Sequence, residues 1–116
     1  PQTFHLSLCM EVIEHLHDQE AEKPTEWRAT GTAHMLASVA AALEPGGLLF
    51  LTTPNACSYN VLAKVLTMQP PMVYRPHVRE YAPSEIDTMV RDAGLRIERF
   101  GTVDCWGGGV NKGTRT

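Results

Sequence analysis

An α/β fold is predicted by three observations. Short apolar runs near residues 4–10 and 48–53 have strand character. Segments near 33–43 and 83–93 carry apolar residues at helical spacing. The elements alternate as strand, helix, strand, helix, strand, which implies a parallel sheet with right-handed crossovers.

Taken in order, Phe4, Leu6 and Leu8 alternate with His5 and Ser7 and lead into Cys9 and Met10, a strand over 4–10. Glu11 to Leu16 changes character, with polar residues at i, i+3 and i+4, and His17 to Glu26 is a polar loop. Ala33, Leu36, Ala37, Ala40 and Leu43 then line one face of a helix, which Pro45-Gly46-Gly47 stops. Leu48 to Thr53 is continuously apolar, as expected of a strand buried on both faces of a parallel sheet, and Pro54-Asn55 ends it. Residues 56–80 form an excursion over the sheet top, with an amphipathic stretch at Tyr59 to Leu66. Pro83 suits the first position of a helix with Ile86, Met89, Val90 and Ala93 on one face. Its cap position is Ala82, which forgoes about 1 kcal/mol relative to Ser or Thr. Gly94 ends that helix, and Leu95 to Phe100 alternates as a third strand.

A chain of 116 residues and 12.8 kDa makes one small domain. With 43% hydrophobic and 20% charged residues its composition is that of a soluble globular protein. No apolar run approaches the ~18–20 residues that span a bilayer, and Pro1 to Leu8 has no signal-peptide pattern. The absence of an initiator Met suggests a piece of a longer protein. Residues 1–50 hold seven acids and two bases, a balance of −5, whereas residues 51–116 hold six acids and eight bases, +2. The one basic cluster, Arg75, His77 and Arg79, is too small for a nucleic-acid footprint. Cys9, Cys57 and Cys105 are odd in number and 48 residues apart, which reads as reduced thiols in the cytoplasm.

Ligands of open α/β sheets gather beyond the carboxyl ends of the strands, here Cys9-Met10-Glu11 and Thr53-Pro54-Asn55. On a helical turn Glu11, Glu14 and His15 would share one side, so two carboxylates and an imidazole could hold a divalent cation, with His77 closing back as a fourth ligand. The same spacing also describes a solvated first turn favoured by the helix dipole. His5, His34 and Cys9 read as structural, His17 as a loop residue and Gly107 to Gly109 as a turn. No G-x-G-x-x-G, G-x-x-x-x-G-K-[ST] or G-x-S-x-G occurs.

Three blocks, F-H-L-S-L-C-M-E-V-I-E-H-L (4–16), L-E-P-G-G-L-L-F-L-T-T-P-N (43–55) and H-V-R-E-Y-A-P-S-E-I (77–86) followed by A-G-L (93–95), resemble the second half of class I S-adenosylmethionine-dependent methyltransferases. The resemblance implies a three-layer αβα, Rossmann-like sheet, of which these are the fourth to sixth strands and Val103 starts a seventh. Residues 1–103 would be the C-terminal part of that domain, and 104–116 a Gly-rich tail or truncated last strand. His5 stands where the family usually has Asp, and Ala82 where it has Thr. The family's glycine-rich cofactor loop and its ribose-binding acid precede the fourth strand. At about 30 residues per strand–helix–strand unit, roughly 80–100 residues would lie upstream of Pro1, and the chain alone would be inactive and bind cofactor poorly.

The implied reaction is methyl transfer from S-adenosylmethionine to a hydroxyl of a small molecule or glycan precursor, which requires mainly positioning and exclusion of water. By the resemblance, Cys9, Met10 and Glu11 lie beside the cofactor's methionine moiety, and Glu11 and His15 are the catalytic candidates. The 56–80 excursion covers the acceptor, with Asn55 and His77 on the substrate side. Small-RNA 2′-O-methyltransferases share the E-x-x-E-H arrangement and a later His, and ubiquinone-pathway O-methyltransferases resemble C-M-E-V-I-E-H; both use a metal. The resemblance thus implies Mg or Mn on Glu11, Glu14, His15 and His77, lowering the pKa of an acceptor hydroxyl. RNA 3′-terminal 2′-O-methylation is the alternative within enzymes, disfavoured by the acidic N-terminal half. A non-catalytic α/β interaction module is the alternative outside them. The unpaired edge of the first strand further predicts self-association.

Overall fold

The computed structural model describes residues 3–17, 30–74 and 76–103. Strand β1 (Phe4–Met10) pairs in parallel with β2 (Leu43–Thr52), and the described residues also form helices α1 (Thr30–Ala42), α2 (Tyr59–Leu66) and α3 (Pro83–Asp92) and a 3-10 turn at Ile13–His15. From Leu6 to Met10 the pairing is regular, Leu6 opposite Leu48 and Met10 opposite Thr52. The two strand ends therefore form one rim, and the Glu11 amide donates to the Thr52 carbonyl at 2.9 Å to continue it.

Pro45-Gly46-Gly47 behaves differently from a simple helix stop. Helix α1 ends at Ala42 and β2 begins at once, so the Pro–Gly turn becomes an irregularity inside the strand, between the pairs Phe4–Leu43 and Leu6–Leu48. Gly46 takes a φ of +82°, a conformation that is inexpensive only without a Cβ.

The apolar face of α1 is rotated from the expected one. Thr32 and Leu36 are buried, Met35, Val39 and Ala40 are half-buried, and Ala33 and Ala37 face out. The stripe keeps its i, i+3, i+4, i+7, i+8 spacing, but its phase is set by contacts at the helix start. A Cβ on Gly31 would collide with the His17 carbonyl oxygen, so glycine lets the helix reach the backbone beyond the 3-10 turn. Thr32 Oγ1 then donates to the Ile13 carbonyl at 3.4 Å and shares a 2.8 Å hydrogen bond with the Tyr81 hydroxyl. Full burial of Leu36 contributes about 2 kcal/mol.

One face of the sheet is packed and the other is open. Cys9, Ile13, Tyr81 and Ile86 form the core, with Leu49, Leu51, Met35 and Met89 against it. Phe4, Leu6, Leu8 and Met10 of β1, with Leu48 and Phe50 of β2, are each at least half exposed. This corrects two expectations: β2 is buried on one face, and the described residues form two layers, because no described helix covers the second face. The third strand is also corrected. Residues 95–100 form no ladder, although Leu95 and Ile97 are half-buried and Arg96 and Glu98 exposed. The alternation is present, but extended backbone becomes a strand only when its amides find a partner strand.

Helix α3 starts at Pro83 as expected, and the missing cap at Ala82 is partly made good. Glu85 reaches back to accept from the Ala82 amide at 3.0 Å, which satisfies a donor that a Ser or Thr side chain would not. The expected Gly-rich tail or truncated last strand at 104–116, with Cys105 and Gly107 to Gly109, lies outside the described residues, as do Arg75 and the loop after His17. No helix among the described residues is long and apolar enough to cross a membrane.

Candidate functional site

The site is assembled where the chain leaves β1. Glu11 has a φ of +54°, unusual for a residue with a side chain, and Val12 is non-helical, so the 3-10 turn begins only at Ile13. Helical spacing consequently does not apply to Glu11. Its carboxylate accepts from Thr52 Oγ1 at 3.3 Å on the exposed rim. Glu14 and His15 are carried by the turn, and Ile13 anchors it in the core.

The distant partner arrives by backbone pairing. The Glu14 carbonyl accepts from the amides of Val78 and Arg79 at 2.8 and 3.2 Å, which lays the 76–82 segment across the turn. A β-bridge between Asn55 and Tyr81 fixes the other end of that segment to the loop after β2. Glu14, His15 and His77 thereby each present one ligand atom within 4.8 Å of the others. The His15 and His77 rings meet edge-on with centroids 4.9 Å apart. Three of the four expected ligands converge, and Glu11 is not among them.

Glu14 is not part of a solvated turn, since only 1% of it is exposed. Its Oε2 accepts from Thr53 Oγ1 at 3.0 Å, while Oε1 is buried without a hydrogen-bond partner and lies 3.9 Å from His15 Nε2. A buried carboxyl oxygen left in this way costs about 1–3 kcal/mol. Such an atom, in a carboxylate grouped within 4.8 Å of two imidazole nitrogens, fits a divalent cation with mixed O and N ligands.

The other candidates divide. Met10 is exposed on the rim, whereas Cys9 points into the core. Burial, followed by the nearby Glu14, raises the Cys9 pKa above its ordinary value and keeps the thiol protonated. A raised folded-state pKa favours folding below the ordinary thiol pKa, and this contribution is lost as pH rises toward the folded value. Native alkylation at neutral pH is expected to modify exposed Cys57 and spare Cys9, as read by peptide mass mapping. Asn55 Oδ1 accepts from the Cys57 amide at 2.8 Å and so stabilises its own turn. His5 pairs with Glu44, away from the rim.

Glu80 is the residue that sequence reasoning missed. It accepts from the Val73 and Tyr74 amides at 2.8 and 3.0 Å and faces His77 Nδ1 at 3.0 Å. Its i, i+3 spacing from His77 was the available signal.

A family model described as "Methyltransferase domain" matches residues 2–99. The chain belongs to this methyltransferase-domain family. Two curated relatives are both named ubiquinone biosynthesis O-methyltransferase. The one from Hydrogenovibrio crunogenus is 26% identical over 108 residues, covering 89% of this chain and 39% of the relative. The one from Thiobacillus denitrificans is 29% identical over 105 residues, covering 86% and 40%. The methyltransferase-domain chain thus spans about two-fifths of the length of these relatives. No solved structure matches it.

Proposed function

We propose that the whole protein transfers a methyl group from S-adenosylmethionine to a hydroxyl of a small molecule or glycan precursor, at a site that holds Mg2+ or Mn2+ on Glu14, His15 and His77. The observation that carries this reading is the buried Glu14 carboxylate, its Oε1 unpartnered, grouped within 4.8 Å of His15 and His77 nitrogens in a chain of the methyltransferase-domain family. The relatives' shared name supports oxygen as the acceptor atom. When bound, the cation would polarise an acceptor hydroxyl and ease its deprotonation.

The chain's own residues supply the geometry. Met10 and Glu11, exposed at the carboxyl end of β1, form the rim on which the methionine part of the cofactor rests, with Cys9 contributing backbone and packing. His15, on the open side of the trio, orients the acceptor, and the 56–80 excursion, with Asn55 and His77 on the substrate side, excludes water from it. Transfer measured on the full-length protein, with a phenolic or sugar hydroxyl and with and without chelator, tests this. Cation-dependent O-methylation is expected; transfer indifferent to the chelator and to His77→Ala would contradict it.

The odd, widely spaced cysteines support a reducing compartment such as the cytoplasm. The same proposal includes self-association of the isolated chain, since among the described residues no further strand pairs with either edge of the two-stranded sheet and one face is apolar. Sedimentation is expected to give dimers or larger species, with Leu8→Lys shifting them toward monomer.

A further inference from the structure

We propose that Glu80 is a positioning residue that fixes His77 in the tautomer protonated on Nδ1, leaving the Nε2 lone pair as the one His77 offers to the site. The inference rests on the reading of Glu14, His15 and His77 as that site, and deepens it.

Glu80 and His77 have side chains only 5% and 8% exposed, and Nδ1 lies 3.0 Å from Glu80 Oε1. The carboxylate has no proton to give in its ionised form, so the imidazole nitrogen facing it must be the donor. In a neutral imidazole the other nitrogen then carries the lone pair. Glu80 is itself held. Its oxygens accept from the Val73 amide, both at 2.8 Å, and from the Tyr74 amide at 3.0 Å. Its neighbour Tyr81 is locked into the core and bridged to Asn55. Adjacent residues of an extended segment point to opposite sides, so anchoring Tyr81 in the core aims Glu80 away from it, toward His77. The His77 ring has little freedom to turn, with Tyr74 edge-on at 5.2 Å and His15 edge-on at 4.9 Å. A carboxylate behind the distal nitrogen of a ligating histidine fixes its tautomer and raises its basicity as a ligand.

The direct readout is the tautomer of His77 in the metal-free, 15N-labelled chain, from long-range 1H–15N correlations in mildly alkaline buffer. The Nδ1–H form is expected; the Nε2–H form in the unmodified chain would overturn the proposal, whatever any variant does. Glu80→Ala is expected to release the preference and to weaken Mn2+ binding by about ten- to hundredfold. Glu80→Gln, which keeps an acceptor oxygen, should preserve the Nδ1–H form and most of the affinity. A merely structural Glu80 would disturb the Val73 and Tyr74 amide signals in Glu80→Ala and leave the tautomer unchanged, and that result would also overturn the proposal. Should the chain bind no Mn2+ while the tautomer still follows Glu80, the metal reading fails and the role of Glu80 stands.

Discussion

Tyr81→Ala is expected to lower the stability of the fold by about 3–5 kcal/mol, the range for emptying a large aromatic from a core. Tyr81 is 2% exposed and touches each part of the molecule that holds the site together. Its ring lies in the core with Cys9, Ile13 and Ile86, and the Arg79 guanidinium sits 5.0 Å from its centroid. Its hydroxyl bonds Thr32 on α1, and its carbonyl accepts from the Ala56 amide at 3.0 Å. Tyr81→Phe removes only the hydroxyl bond, and because Thr32 can still donate to Ile13, the loss should be near 1 kcal/mol. Urea denaturation of the two variants measures both. A Tyr81→Ala loss as small as that of Tyr81→Phe would mean that the segment carrying His77 is not anchored through this ring.

Glu14→Gln is expected to separate stability from binding. The amide keeps the shape of the side chain, and its carbonyl oxygen can still accept from Thr53 Oγ1. What disappears is a buried carboxyl oxygen with no partner, replaced by an amide group that faces His15 Nε2, 3.9 Å from the original oxygen. Thermal unfolding should therefore be unchanged or improved by about 1 kcal/mol, while Mn2+ affinity falls by more than about a hundredfold. A functional group kept at the expense of stability has this signature. A Glu14→Gln variant that unfolds more easily and still binds Mn2+ would assign the carboxyl group to the fold instead.

Local patterns in the sequence located most elements, because their causes are local. The alternation of Phe4 to Met10, the Pro83 start of α3 and the apolar spacing of Tyr59 to Leu66 each reflect backbone or side-chain preferences that neighbours in sequence determine. The failures have non-local causes. Leu95 to Phe100 alternates but lacks a described ladder partner. The open apolar face of β1 and β2 depends on which layers cover the sheet, which alternation does not encode. For the candidate site, the E-x-x-E-H spacing pointed to Glu14 and His15, which the fold brings within 4.8 Å of the later His77. The left-handed backbone at Glu11, which turns that carboxylate to Thr52, has no signature in the residue type. The link from Glu80 to His77 depends on a segment laid across the turn by the Glu14 carbonyl, a contact between residues some 65 positions apart.

The proposed methyl transfer depends on a divalent cation held where Glu14, His15 and His77 converge. Titrating the chain with Mn2+ and following the loss of the free-ion electron paramagnetic resonance signal tests it most directly. One ion per chain is predicted, with binding abolished by His77→Ala and retained by Glu11→Gln. Absence of binding, or binding that ignores His77→Ala and follows Glu11→Gln, would contradict it.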